Sequence, residues 1–503
     1  VSPVGSVGAS GSLTTTRRLS TRDADASAFQ RLTPVEHVLR RPAMYVGSTK
    51  RARDYGWAYD RAQQRVVWRE LQHVPALLKI FDEVLVNALD NTQRDPRHAT
   101  RIDVDIDQKS GALSVRNVGR PIPVVWRDAE ELWLPEMVFG ELYTGSNFDD
   151  TTLRTVGGRH GFGAKLANIF STSVEVEIAD SAEGRTYSQR WLRNMSETTP
   201  AEVTESLSTK TRGRKREVTK ANEKAAAAGS YTLVRFVPDF TRLGGGARRL
   251  DDDALAMLER RLHDAAACVA PTTAIYYNGE RVPIGGLADL MSLYGPSDGA
   301  TAAAVVEISE RWRVGVGPPA LDYSAGGGQV SFVNGVCTTR GGTHVAHATA
   351  ELMQLVVPRL ARALNMPKAQ LTASDVRPHL QLFLDCRIDN PEFDSQSKER
   401  LTTAVGAFGS TCELPAKFAE RVAAFAWLQE RVAQARAARV AAKIRRGVSK
   451  AKDGSHGRAH VNIKKLEDAA HAGTARSDDC TLILTEGDSA KALAVAGLEV
   501  VGR

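Results

Sequence analysis

One stretch limits the architecture of this 503-residue chain more than any other: VPALLKIFDEVLVNALDNTQ, residues 74–93. Leu77, Leu78, Phe81, Leu85 and Leu89 recur near one face at helical spacing. The segment therefore predicts a long helix that must bury an apolar stripe against another layer. Two alternating runs follow, RIDVDID and ALSVRNVG, with a glycine between them for the turn, the pattern of paired, half-buried strands. A helix packed on strands in this order points to an α+β arrangement.

Around that centre the chain divides further. QRLTPVEHVLRRPAMYVGS reads as a short strap, a helix and an Arg-Pro turn, and TVGGRHGFGAKLANIFST is glycine-rich and opens another helix. Residues from about 194 to 230 are polar and carry Lys210, Arg212, Arg214, Lys215 and Arg216. They predict an exposed insertion between the strands YSQRWL and YTLVRFVP. A second α/β segment over 251–413 contains the strands QVSFVNG and LQLFLDCRI and a helix starting near Gly342. A Leu-, Ala- and Arg-rich helix over about 415–443, a basic linker RRGVSKAKDGSHGR and a buried-looking strand, CTLILTEGDSA, complete the pattern.

The length fits roughly two to four domains with their own cores. A formal charge of +7 and a pI near 9.1 are compatible with nucleic-acid contact without demanding it. The five cysteines are scattered with no CxxC, which argues for ordinary thiols in a reducing compartment. No apolar run reaches the ~20 residues needed to cross a bilayer. The first residue is valine, as expected of a processed chain or a fragment, and the acid-free stretch before Asp23 reads as a disordered tail with a faint transit-sequence character.

Chemistry concentrates in two places. Glu83 and Asn87 lie four apart, so they share a helix face. A carboxylate there can take a proton from water, and an amide oxygen can hold Mg²⁺ without adding charge. The run GGRHGFGAK, residues 157–165, can turn backbone N–H groups toward phosphate oxygens ahead of a helix start. It is not a Walker A loop, because Gly163 is followed by Ala164 and Lys165 rather than by Lys and Ser or Thr.

The order EVLVNALDN, NVGRPIPV, YTGSNFDD, VGGRHGFGAK closely resembles the ATPase domain of eukaryotic type II (type IIA) DNA topoisomerases. That domain is a member of the gyrase, Hsp90, histidine-kinase and MutL superfamily. The resemblance implies ATP and Mg²⁺ as cofactors, Glu83 as general base and Asn87 as the Mg²⁺ ligand. It puts Asn117 on the adenine side and Ser146 and Asn147 at ribose and phosphates. Gly158, Arg159, His160, Gly161, Phe162, Gly163, Ala164 and Lys165 would form the triphosphate lid. FVNGVCTTRGGTHV and NPEFDSQSKERLT look like the α/β transducer domain of the same family. Its QxK loop is matched by Gln396, Ser397 and Lys398, which implies that the lysine is directed at the γ-phosphate.

TLILTEGDSAKALAVAGL carries the EGDSA signature of the toprim fold, which implies a Mg²⁺-binding role for Glu486 in DNA cleavage. The expected organisation is a tail over 1–28, an ATPase domain over 29–250, a transducer domain over 251–414, a long helix and linker over 415–475, and the start of a toprim domain over 476–503. The resemblance also implies double-stranded DNA as partner, an ATP-dependent homodimer, no membrane, and residence in the nucleus, with a mitochondrial address as the alternative for the tail. A catalytically lapsed ATP-binding scaffold is the rival functional reading. The sequence departs from the family at Pro121 (usually glycine), at His160 (usually asparagine) and at Phe29 (commonly tyrosine), and Lys368 is the main remnant of the DNA-sensing lysine loop.

Overall fold

The computed structural model describes residues 29–145, 153–158, 161–205, 229–244, 249–295, 302–319, 328–367 and 370–450, together with 469, 471, 472, 474 and 476–500. Among them, no helix is long and apolar enough to cross a membrane.

The first core forms between a nine-stranded sheet and the helices packed on it. Its strands run in the order Glu202–Glu205, Arg185–Leu192, Ser171–Asp180, Tyr231–Pro238, Ala112–Val118, Arg101–Asp107, Ala274–Tyr277 and Glu280–Arg281. Glu197–Thr198 pairs beside Arg185–Leu192. RIDVDID shows why it is a strand: Ile102, Val104 and Ile106 are buried while Arg101, Asp105 and Asp107 face water, the period of two that a half-covered sheet needs. The predicted long helix spans Pro75–Arg94 and packs on this sheet through Leu77, Phe81, Leu85 and Leu89. Pro75 begins it without losing a helical hydrogen bond, since the first-turn N–H groups have no intrahelical partner. Upstream, the helix Pro34–Arg40 is closed by a capping box in which Glu36 N donates to Thr33 Oγ1 at 3.3 Å and Thr33 N donates to Glu36 Oε2 at 2.8 Å.

The second core surrounds a five-stranded sheet ordered Ala304–Ser309, Trp312–Gly317, Gln381–Cys386, Gln329–Val333 and Val336–Cys337. Gln381–Cys386 is buried along its whole length and pairs parallel with Gln329–Val333. A parallel pair needs a long crossover, which the helix Thr343–Ala363 provides.

The structure corrects four expectations and adds one element that none of them covered. The first sheet does not end at residue 250: Ala274–Tyr277 pairs parallel with Arg101–Asp107, and Asp252–Cys268 and Leu287–Tyr294 pack in the first core. The hydrophobic faces of those helices have their partners there, and residue type alone did not reveal which sheet would receive them. The insertion begins later than residue 194, because Glu197–Thr198 and Glu202–Glu205 extend the sheet; its basic cluster lies outside the described residues. The helix expected over 415–443 is two helices, Ala416–Ala423 and Ala426–Lys450, separated where Phe425 buries and stacks on Trp427. Both belong to the second core rather than to a linker, and the second runs into the basic stretch. The expected strand CTLILTEGDSA is not a strand: Leu482, Ile483 and Leu484 are exposed, and Asp488–Val500 is a helix. A strand needs a neighbour for its hydrogen bonds, and among the described residues none lies beside this one. Finally, the hairpin Ala52–Asp60 and Arg65–His73 was not anticipated.

Candidate nucleotide site

Glu83 sits on the third turn of the helix Pro75–Arg94 and is almost wholly buried. An isolated carboxylate in such a place would be very costly, so its partners matter. One is Lys79, a turn earlier on the same helix, with Nζ 2.6 Å from Oε1. The other arrives from the second core: Lys398 Nζ donates to Oε1 at 3.0 Å and to Oε2 at 3.2 Å. Burial pushes the Glu83 carboxyl up, but the Lys398 and Lys79 ammonium groups outweigh it and hold the group down at about 2. Burial likewise acts against the charge on Lys398, and the Glu83 carboxylate overrides it, keeping that lysine above its ordinary value. At Lys79 burial prevails and lowers the value. Two amines thus face a single carboxylate, an arrangement with room for another anion.

Lys398 is held in place by an unusual backbone. Its φ is +61°, in the left-handed region that non-glycine residues seldom enter. Lys398 N donates to Ser395 O at 3.0 Å, Asp394 N to Arg400 O at 3.1 Å, and Leu401 N to Gly341 O at 3.0 Å, tying the loop to the start of the helix Thr343–Ala363. Gln396 is half-buried in the same turn.

The glycines line the opposite wall. Gly157 N donates to Asp90 Oδ1 at 2.8 Å and Gly158 N to Asp90 Oδ2 at 3.0 Å. Asp90 is fully enclosed, and burial raises its carboxyl against the pull of those two N–H groups. At Gly163, which opens the helix Gly163–Ile169, a Cβ would stand 2.3 Å from Glu83 Oε2, so only glycine brings backbone this close to the carboxylate. At Gly161, with φ +66°, a Cβ would come within 2.2 Å of Thr144 O. Phe162 meets the rings of Tyr45 and Tyr143 edge-on at 6.0 and 5.6 Å, and Ala164 packs against the first core.

Lys165 turns inward, donating from Nζ to Thr144 O at 2.6 Å and Gly161 O at 2.7 Å, and burial pulls it down to about 8. It therefore braces the loop from beneath. Asn87, one turn beyond Glu83, is exposed beside the glycine backbone. A Cβ on Gly158 would lie 3.5 Å from Asn87 Oδ1 and 3.3 Å from Asp90 Oδ2. Asn117, half-buried on Ala112–Val118, pairs in register with Thr232 and Ile102.

Glu83, Lys398, Asn87, Gly158 and Gly163 are thus brought together. Ser146, Asn147, Arg159 and His160 lie outside the described residues, as does Lys368. Glu486 is exposed just before the helix Asp488–Val500, and nothing in 476–500 joins either core. Sequence reasoning missed Lys79 and Asp90. The signal was present: positions 79, 83, 87 and 90 are spaced 4, 4 and 3, a polar stripe along one side of an otherwise apolar helix.

The chain is similar to known proteins over most of its length. Residues 299–448 match the DNA gyrase B family model. A probable DNA topoisomerase 2 of Dictyostelium discoideum is 38% identical over 477 residues, 94% of this chain and 29% of that protein. The chain therefore spans under a third of that relative's length. The solved ATPase and transducer domains of DNA topoisomerase II from Balamuthia mandrillaris are 39% identical, with a TM-score of 0.72, over 82% of this chain and 98% of theirs. The ATPase region of Saccharomyces cerevisiae topoisomerase II is 34% identical, with a TM-score of 0.70, over 82% of this chain and 99% of that one. With nearly the whole of two such regions covered at this identity, the chain belongs to the DNA topoisomerase II family and corresponds to its ATPase and transducer region.

Proposed function

We propose that this chain binds and hydrolyses ATP between the helix Pro75–Arg94 and the loop 157–165. In this reading it acts as the ATP-operated, dimeric gate of a type IIA topoisomerase, which passes one DNA duplex through a transient break in another. The observation that carries the reading is the reach of Lys398 from the second core to Glu83 in the first. A lysine so placed can leave the carboxylate for an incoming γ-phosphate, and the carboxylate, relieved of one cation, becomes the better base for the attacking water. Lys79 stays with Glu83 and keeps it oriented. The same exchange gives the second core a reason to move with the nucleotide.

The donor set fits Mg²⁺ held jointly by protein and nucleotide. Among the described residues no cluster of three His, Cys, Asp or Glu side chains could hold a metal alone, whereas Asn87 offers an exposed, neutral oxygen beside the glycine backbone. Asn87 would hold the ion, which when bound neutralises phosphate charge. Asn117, Ser146, Asn147 and the lid residues Gly158, Arg159, His160, Gly161, Phe162, Gly163 and Ala164 would contact the nucleotide, with Lys165 bracing the lid and Gln396 steadying Lys398. Glu486 would contribute a metal ligand to DNA cleavage, and we assign the protein to the nucleus.

Steady-state ATP hydrolysis, wild type beside Glu83→Gln, with and without duplex DNA, tests the proposal. Activity lost in the variant with nucleotide binding retained is the expected result. Equal rates in the two proteins would remove Glu83 from its role. Sedimentation with a non-hydrolysable ATP analogue should show a dimer, and a persistent monomer would refute the gate.

A further inference from the structure

The Asn334–Gly335 turn joins the strands Gln329–Val333 and Val336–Cys337 with φ of +51° and +80°. Asn-Gly is the favoured pair for such a two-residue hairpin, so the residue types alone need no further explanation. The surroundings do. Hairpin turns normally face water, yet Asn334 is completely buried. Its side chain donates from Nδ2 to Ile388 O at 2.9 Å and to Val156 O at 3.3 Å, and accepts from Ile388 N at Oδ1 at 2.8 Å. Val156 immediately precedes the nucleotide loop. At Gly157 the packing is so close that a Cβ would meet Val336 Cγ2 at 2.8 Å on one side and Val86 Cγ1 at 2.7 Å on the other. The second residue of the turn reaches the catalytic helix: Arg261 donates from Nη2 to Gly335 O at 2.6 Å and from Nε to Asp82 Oδ1 at 2.6 Å, next to Glu83 in sequence.

We propose that Asn334 and Arg261 are positioning residues that register the second core against the nucleotide site, Asn334 through the loop entrance at Val156 and Arg261 through the helix at Asp82. This linkage rests on the nucleotide-site reading above and is separate from Lys398. It differs from a turn's ordinary role because it predicts two distinct kinetic effects. Asn334→Gly keeps the left-handed backbone and removes only the side-chain bonds, so it loosens the phosphate wall and acts on binding. Arg261→Lys keeps a cation beside Asp82 but cannot span to Gly335 as well, so it acts on the helix bearing the base and hence on turnover.

The test is made on the full 503-residue chain, with hydrogen exchange over 153–165 and 329–337 with and without a non-hydrolysable ATP analogue, and with KM and kcat taken well below each protein's unfolding midpoint. Asn334→Gly should speed exchange at 157–158 and raise KM for ATP, each on the order of tenfold, with kcat changed far less. Arg261→Lys should lower kcat about tenfold with KM near wild type. In wild type the analogue should slow exchange in 329–337 as well as in the loop, since coupling is reciprocal. Lowered unfolding midpoints with exchange, KM and kcat all unchanged would overturn the proposal. Should Asn334→Gly fail to fold, Arg261→Lys decides it alone, and an unaltered kcat refutes it. Wild type showing no nucleotide-dependent protection in 153–165 would instead sink the nucleotide-site reading itself.

Discussion

Glu83 is balanced by two amines, and removing either has a direction that can be worked out. Lys79→Met takes away one of the charges holding the carboxyl down, so the acidic limb of the pH–rate profile should move to higher pH, with kcat reduced about tenfold. Measuring kcat across pH for wild type and variant checks this; superimposable profiles would dissociate Lys79 from the base. Stability has its own pH signature. The folded carboxyl of Glu83 lies below its ordinary 4.5, so its contribution is present above that value and is lost as pH falls toward about 2. His344 works in the same direction over a different window. Burial lowers it from 6.5 to about 3, so the native imidazole stays neutral while the unfolded chain takes up a proton. Stability should therefore fall as pH drops below 6.5, by about 2 kcal/mol at roughly pH 5 from this group alone, levelling off near 3. Denaturant titrations at several pH values on wild type and His344→Gln would isolate the term, since the variant lacks it.

At the scale of elements, the glycine loop and the helix Pro75–Arg94 act as a pair. Gly163→Ala would drive a methyl to 2.3 Å from Glu83 Oε2, so the carboxylate or the start of Gly163–Ile169 must shift. The expected result is a loss of ATP turnover of at least tenfold with ~1–3 kcal/mol of destabilisation, read by steady-state kinetics and urea unfolding. Elements of this kind were legible in the sequence where one period dominated. RIDVDID alternates cleanly, and the long helix carries its leucines on one side. The roles proposed for Glu83 and Lys398 rest on motif order, whereas their contact could not be read there, because 315 residues separate them in the chain. Lys79 and Asp90 are harder to single out: their spacing with Glu83 and Asn87 marks a polar stripe, but a polar stripe on a helix usually faces solvent, and burial is what sets these two apart. The apolar run at 481–484 misled because hydrophobicity suits a strand only where a neighbouring strand exists.

Across the whole molecule, the two cores meet through charge as much as through packing. Asp385 pairs with both Arg313 and Arg387, and both arginines also donate to Cys268 O at the end of a first-core helix, at 3.3 and 2.6 Å. Asp385→Ala would leave two guanidinium groups sharing one carbonyl, and should cost ~3 kcal/mol in chemical denaturation. An unchanged midpoint would mean that water or another acid takes its place.

The carboxylate shared by Lys79 and Lys398 bears on how such a protein is screened for inhibitors. A fragment ending before the second core would keep the helix, the glycines and Asn87, but its Glu83 would have lost one of its two cations. Compounds selected on that fragment would meet a carboxylate free to receive a basic group. In the longer chain Lys398 already occupies that position, so cationic hits would have to displace it and should weaken, whereas acidic hits that pair with Lys398 should gain.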